Sequence, residues 1–176
     1  MRTLWSYFHN SENRLLPTAT SLLNMSTAAV KPPCIFCTIA AKEDATTEIL
    51  YEDEILVAFR DIHPATDRHL LIVPKRHIAS AKSLTVVDMA TVTQLVDAGR
   101  KVLSEAGVDP ADEEVRMGFH WPPFHLIHHL HLHVLYPVSK MGFLSRIVFR
   151  PDSWWFVSPE TVLQGLRNKS DEQPHQ

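Results

Sequence analysis

Histidine and aliphatic residues alternate over residues 129–134 of the segment HHLHLHVLY, at 128–136. In a β-strand, the side chains at positions i, i+2 and i+4 point to the same face. The segment therefore predicts a strand with three histidines on one face and three aliphatic residues on the core face. The histidines are His129, His131 and His133, and the aliphatic residues are Leu130, Leu132 and Val134.

The rest of the chain predicts an α+β fold with a five-stranded antiparallel sheet, one long helix and one short helix. Strands that meet as hairpins, with helices grouped between them, are typical of this class. A stripe of apolar residues spaced three or four apart predicts the long helix over residues 84–106, with Ser83 as its cap. The other predicted elements are a short helix at 34–43 and strands at 48–51, 55–60, 69–74, 114–120 and 128–136.

Composition shifts divide the chain into four parts. Residues 1–32 have no sustained period and are expected to form a poorly ordered leader. A mitochondrial presequence is the alternative, but it would normally contain more arginine, and Met25 offers a second start. We expect the main folded domain over 33–140, an apolar packing segment over 141–167 and a polar, frayed tail over 168–176.

Charge and cysteine content exclude several classes of protein. The net charge of −3 argues against a nucleic-acid-binding surface, and no apolar run is long enough to span a membrane. Two cysteines cannot form a disulfide framework, and no secretory leader opens the chain, so we expect a reducing compartment, in the cytoplasm and nucleus.

Three histidines in a row can bind a metal ion or act on a phosphorus centre. Histidines at i and i+4 of a strand are too far apart for all three to share one ion. A histidine nucleophile needs no metal: one ring nitrogen attacks phosphorus, while a carbonyl oxygen holds the other as N–H. The pattern therefore favours a nucleophile flanked by groups that neutralise the phosphate.

The segment HLHLHVL at 129–135 matches the histidine triad signature, and the chain resembles the histidine triad nucleotide-binding proteins over about 34–137. CIFC, YEDEILVAFRDIHP, HLLIVPKRHI and RMGFH occur in the family's order. The resemblance implies hydrolysis of AMP joined to an amine or a carboxylate, through a covalent AMP adduct on His131. It assigns phosphate contact and leaving-group protonation to His129 and His133. Because the third position is histidine and not the glutamine of nucleotidyl transferases, hydrolysis is favoured over transfer.

The resemblance also implies the nucleotide-binding residues. Asp61 can accept both ribose hydroxyls, and Ile62 can pack on the purine. The other nucleotide-binding positions are His77, His120, His131, Leu132 and His133. His120 and Leu126 stand where the commonest branch has asparagine and serine.

Cys34 and Cys37 form a C-x-x-C pair with three interpretations. In some relatives the matching pair binds zinc together with two histidines, here His77 and His129. The alternatives are two packed thiols or, less favoured, a redox dithiol. We expect that the reaction requires no cofactor and that zinc is possible. The resemblance further implies a homodimer or larger homo-oligomer. Two other functional hypotheses stay open: a nucleotide-binding scaffold with little turnover, and a zinc-binding module.

Overall fold

The computed structural model describes residues 34–122, 126–151 and 153–171, and its main element is one six-stranded sheet. All adjacent strands are antiparallel, in the order β1-β2-β3-β5-β4-β6. The strands are β1 (Ile49–Glu52), β2 (Leu56–Arg60), β3 (Arg68–Pro74), β4 (Arg116–His120), β5 (Leu132–Tyr136) and β6 (Phe156–Val157). The predicted α+β class with an antiparallel sheet is confirmed. The predicted leader and the last five residues lie outside the described part.

Four α-helices occur in the described residues: α1 (Ile35–Ala40), α2 (Met89–Glu105), α3 (Phe143–Val148) and α4 (Pro159–Asp171). The apolar stripe of α2, which includes Val92, Leu95 and Leu103, packs on one face of the sheet together with Leu132 and Val134. Helix α1 covers part of the opposite face with Phe36 and Ile39. The face opposite α2 also carries His133, because side chains alternate along β5.

The prediction of five strands and two helices is wrong, and the difference lies in the C-terminal segment. Strand β6 pairs with β4, and Phe156 joins a third core cluster with Leu135, Met141 and Phe149. Helix α4 buries Val162 and Leu166 in the core beside α2. The tail predicted to fray from residue 168 is helical as far as Asp171. The segment is part of the domain because its apolar residues complete the core.

Two predicted boundaries are also wrong. Helix α2 begins at Met89 and not at residue 84, because the preceding residues form two short 3₁₀ turns, each closed by a capping box. Ser83 closes the first of these turns. Strand β5 begins at Leu132, so only His133 of the three aligned histidines lies within it. The main-chain N–H of Leu130 donates instead to the carbonyl oxygen of Ile78, at 2.6 Å, outside the ladder.

Within the described ranges, no helix is both long enough and apolar enough to cross a membrane.

Candidate active site

His131 has the geometry expected of a histidine nucleophile. Its Nδ1 lies 2.6 Å from the main-chain carbonyl oxygen of His129. Since a carbonyl oxygen only accepts hydrogen bonds, Nδ1 carries the proton, and the lone pair of the neutral ring is on Nε2. The ring also packs edge-on against Phe36, with 5.2 Å between centroids, and against His133 at 4.8 Å. The hydrogen bond to the His129 main chain and the two ring contacts thus orient the imidazole that would attack phosphorus.

A second chain of hydrogen bonds sets the tautomer of His133. The N–H of Ala65 donates to Nδ1 of His69 at 3.2 Å, so Nε2 of the neutral His69 ring carries its proton. That Nε2 lies 2.8 Å from Nδ1 of His133, which accepts. His133 therefore has its own proton on Nε2, a buried atom without a hydrogen-bond partner in the described residues. This N–H is a donor that a phosphate oxygen would satisfy.

Burial keeps these histidines neutral. His69 and His133 are 2% and 5% exposed. Burial lowers the pKa of His69 to about 4, although the Asp61 carboxylate, with Oδ2 3.5 Å from Nε2, opposes the shift. Burial also lowers the pKa of His133 well below its usual value, and the neighbouring histidines lower it further. The neutral forms match the tautomers that the hydrogen bonds assign.

The ring of His129 points away from His131 and His133, towards the cysteine pair. Its Nδ1 lies 3.4 Å from the Sγ atoms of both Cys34 and Cys37, and its Nε2 lies 2.8 Å from the carbonyl oxygen of Pro74. Both ring nitrogens thus contact protein atoms, and the side chain is 1% exposed. The phosphate contact expected for His129 stays a prediction; the geometry favours a role at the cysteine cluster.

Cys34, Cys37, His77 and His129 fit a tetrahedral metal site. One ligand atom from each lies within 4.8 Å of the others, and Nδ1 of His77 is 3.3 Å from Sγ of Cys37. Zinc bonds of the usual length give sulfur–nitrogen separations of about 3.6 Å at tetrahedral angles. The Pro74 carbonyl accepts a hydrogen bond from Nε2–H of His129, which leaves the Nδ1 lone pair facing the cluster, as in histidines that bind metals. Burial and the Cys34 thiol raise the pKa of Cys37, and a bound cation would favour its thiolate.

The nucleotide-binding residues predicted on the β2–β3 loop are accessible. Oδ1 of Asp61 accepts the N–H of His63 at 2.8 Å, which orients the carboxylate. Ile62 is 87% exposed, so its side chain is available to pack on a flat ring. Leu132, in contrast, is fully buried on the α2 face, and only its main chain could contact a nucleotide. Leu126 is almost fully exposed.

The C-terminal segment supplies an aromatic wall that the sequence did not predict. Phe149 packs on His133, His69 and His120, with ring centroids 5.1–5.2 Å apart, and Phe156 contacts both His133 and His120. Nδ1 of His120 lies 3.3 Å from the carbonyl oxygen of Trp155. His120 thus lies beside the third triad histidine, with 4.8 Å between rings, and its contact with a nucleotide stays a prediction.

Comparisons with known proteins agree with this arrangement. Residues 33–149 match the model of the family described as scavenger mRNA decapping enzyme C-term binding. Curated relatives include the adenosine 5'-monophosphoramidase HINT3 of Mus musculus, 47% identical over 76% of this chain and 81% of the relative. The same enzyme of Xenopus tropicalis is 42% identical over 76% of this chain and 87% of the relative. A third relative, from Arabidopsis thaliana, is the bifunctional adenosine 5'-phosphosulfate phosphorylase/adenylylsulfatase HINT4, 40% identical over 80% and 95%.

A solved structure supports the same assignment. A HIT family hydrolase from Clostridium thermocellum superimposes with a TM-score of 0.57 at 32% identity, over 64% of this chain and 96% of the other. The named relatives include adenosine 5'-monophosphoramidases and an adenylylsulfatase, which are hydrolases, so the protein is a hydrolase. The geometry of the histidines and these similarities together show that the chain belongs to the histidine triad (HIT) family.

Proposed function

We propose that the protein hydrolyses adenosine 5'-phosphoramidates, such as AMP-lysine, and acyl- or aminoacyl-adenylates, and releases AMP through a covalent intermediate on His131. The observation that carries the proposal is the hydrogen bond from His131 Nδ1–H to the His129 carbonyl, because it presents Nε2 as the nucleophile. The phosphoramidase names of the animal relatives support the same class of substrate.

The proposed reaction has two displacements at phosphorus. In the first, His131 Nε2 forms a bond to the α-phosphorus, while the bond to the amine or carboxylate breaks; a carboxylate leaves as the anion, and an amine takes up a proton from solvent as it leaves. In the second, water attacks phosphorus and releases one proton to solvent, the histidine–phosphorus bond breaks, and AMP and neutral His131 are restored. The Nε2–H of His133 donates to a phosphate oxygen in both steps. Asp61 holds the ribose, and Ile62 packs on the adenine.

The test is a rapid quench with AMP-lysine, followed by mass spectrometry of the intact protein. The wild type should gain one AMP transiently, on the peptide with His131. The variant His131→Asn should gain none, because it keeps a polar side chain but has no nucleophile. Its activity should fall at least ~10²–10⁴-fold. The matched control His128→Asn changes an exposed histidine of the same segment and should behave like the wild type.

Three outcomes of this experiment contradict the proposal: near-wild-type hydrolysis by His131→Asn, an adduct on His129 or His133, or nucleotide binding by the wild type without turnover. The last outcome would favour a nucleotide-binding scaffold. The same experiment with adenylyl sulfate compares sulfate with an amine as the leaving group. Adenylyl sulfate is the substrate for which the Arabidopsis relative is named.

We also propose that Cys34, Cys37, His77 and His129 hold a structural zinc ion, which the reaction itself does not require. The ligand spacing and the Pro74 contact of His129 support this. Elemental analysis of protein purified with zinc should give one ion per chain, and Cys34→Ser/Cys37→Ser should give none. Equal metal content in the two proteins would contradict the site.

We further propose a homo-oligomer, as expected for the family. The outer side of β4 is paired with β6, so an interface through that edge has to include the C-terminal segment. Helix α3 carries Phe143 and Leu144, which are 77% and 74% exposed, and Trp154 is 65% exposed. Apolar exposure of this size is typical of interfaces. Light scattering should show a dimer or larger at micromolar concentration, and a monomer would contradict the proposal.

A further inference from the structure

His129 connects two parts of the molecule through two different groups. Its imidazole belongs to the cluster formed with Cys34, Cys37 and His77, hereafter the cysteine–histidine cluster. Its main-chain carbonyl oxygen accepts the Nδ1–H of His131 at 2.6 Å. The residue that completes the cluster is therefore the residue that orients the nucleophile.

We infer that the cysteine–histidine cluster positions the nucleophile: when its four ligands are held together by a metal ion, the main chain of His129, and with it the ring of His131, is held in the attacking orientation. Cys34, Cys37 and His77 are then positioning residues, since they act on His131 through His129. The inference rests on the proposed role of His131 and adds a structural control of that role.

A second contact links the cluster to the same ring. Phe36 lies between the two cysteines in α1, and its side chain is 5% exposed. Its ring packs edge-on against His131 at 5.2 Å and against His129 at 6.0 Å. Helix α1 has only six residues, so by itself it is a marginal element. A metal ion bound by Cys34, Cys37 and His129 would hold this helix, and Phe36 with it, against the segment before β5.

The backbone around His129 explains why the cluster matters for orientation. Residues 129–131 precede β5, so the sheet ladder does not hold them. Two main-chain hydrogen bonds involve these residues: His129 N–H donates to the carbonyl oxygen of Ile127 at 2.9 Å, and Leu130 N–H donates to that of Ile78 at 2.6 Å. The Leu130 N–H belongs to the same peptide unit as the His129 carbonyl, and Ile78 directly follows the cluster residue His77. Ligand contacts at His77 and His129 therefore hold both sides of this hydrogen bond. Without them, the orientation of the His129 carbonyl, and with it the tautomer of His131, is less restrained.

The expected effect is on the chemical step and not on nucleotide binding. Asp61 and Ile62 lie on the β2–β3 loop, outside the cluster, so the affinity for AMP should change less than threefold. A displacement of a catalytic group by about 1 Å can cost ~10²-fold in rate. We therefore expect loss of the metal to lower the rate of adenylylation of His131 by roughly 10- to 100-fold.

The experiment compares three proteins: the wild type, Cys34→Ser/Cys37→Ser, and Ile35→Ser as the matched control. Ile35 lies on the same helix, is 48% exposed and is not a ligand. Each protein is measured for zinc content, melting temperature, AMP affinity and single-turnover adenylylation rate. Nitrogen-15 NMR of the imidazoles reports the His131 tautomer independently of activity. Chelator-stripped wild type, with and without returned zinc, provides the same comparison if the double variant does not fold.

The wild type and Ile35→Ser should bind zinc, adenylylate His131 at equal rates and show the Nδ1–H tautomer. The double variant and the stripped protein should lose the rate and the single tautomer but keep AMP affinity, and zinc should restore the stripped protein. A metal-free protein with an unchanged rate and tautomer overturns the inference, as does a wild type that binds no zinc. If no protein forms an adduct but zinc still sets the tautomer, the proposed function fails and the positioning role stands.

Discussion

Nε2 of His69, in the second position of β3, lies 2.8 Å from Nδ1 of His133, the third histidine of the triad. Both side chains are buried, and their rings are 5.1 Å apart. This contact gives His133 a single tautomer, with a proton on Nε2 for a phosphate oxygen. His69 is therefore a positioning residue that acts through His133.

We predict that His69→Leu lowers kcat by roughly 10- to 100-fold with little change in KM, because a misplaced donor costs transition-state stabilisation. It should also destabilise the fold by about 1–3 kcal/mol, because Nδ1 of His133 loses its buried donor. His69→Gln keeps an N–H donor at this position and should restore part of kcat. The measurements are steady-state kinetics with AMP-lysine and urea unfolding. Equal kinetic losses in the two variants would contradict the role of the donor.

The buried histidines also predict a pH dependence of stability. In the unfolded chain a histidine binds a proton near pH 6.5, whereas the native pKa of His69 is about 4 and that of His133 is also lowered. Between these values the unfolded state binds more protons, so the free energy of unfolding decreases as the pH falls from 6.5 towards 4. Each group contributes at most about 1.4 kcal/mol per pH unit in this range.

Urea unfolding at intervals from pH 7.5 to 4.5 measures this slope. His69→Gln removes one of the two groups and should give a shallower slope below pH 6.5, with no difference in slope above pH 7. A slope identical to that of the wild type would show that His69 does not contribute.

Part of the triad geometry was predictable from the sequence, because period-two alternation is a local signal. The predicted row of three histidines is wrong, since the ring of His129 points to the cysteine pair. The alternation correctly places the side chains of Leu130 and Leu132 in the core. The expected hydrogen bond from a ring N–H of His131 to a carbonyl oxygen is also present. The extent of β5 was not predictable, since alternation does not reveal whether the neighbouring backbone pairs in the ladder. Residues 129–131 alternate like a strand, but the N–H of Leu130 donates to Ile78 in the loop after β3.

The contact of His69 with His133 depends on strand register. His69 is two residues before Leu71, and Leu71 pairs with His133, so the side chains of His69 and His133 share a face. A single sequence does not supply that register, because it depends on which strands become neighbours. Strand β6 could not be predicted either, since a strand of two residues is too short to show an alternating hydrophobic pattern. Helix α4 did have a signal: Pro159 stands at its first position, and the Ser158 hydroxyl accepts the N–H of Thr161.

We predict that Asp61→Ala raises KM by roughly 10- to 100-fold and changes kcat much less. A carboxylate bonded to ribose hydroxyls contributes about 1.5–3 kcal/mol, and the contribution should be nearly equal in the ground and transition states. Asp67→Ala is the matched control: it removes an exposed acid of the same loop, which pairs with Lys140, and should leave KM unchanged. An unchanged KM with a collapsed kcat in Asp61→Ala would reject the ribose contact.

Gly118 of β4 allows the C-terminal segment to pack against the sheet. A Cβ atom at this position would lie 2.5 Å from two ring carbons of Phe156 and 3.0 Å from the carbonyl oxygen of Val157. Phe156 is 1% exposed and contacts His133 and His120, so the ring cannot move aside freely. Gly118→Ala should therefore displace β6 and destabilise the protein by about 1–3 kcal/mol, the usual cost of overpacking.

The matched control is Gly165→Ala in α4, where an added Cβ meets no atom within 4 Å. Because alanine favours a helix interior by about 1 kcal/mol over glycine, this variant should be slightly more stable than the wild type. Thermal unfolding of the two alanine variants measures the difference, and their kcat values show whether the aromatic wall matters for catalysis. With β6 displaced, Phe149 and Phe156 no longer enclose His133, so kcat should fall in Gly118→Ala alone. Equal melting temperatures in the two variants would mean that β6 does not pack on β4 as described.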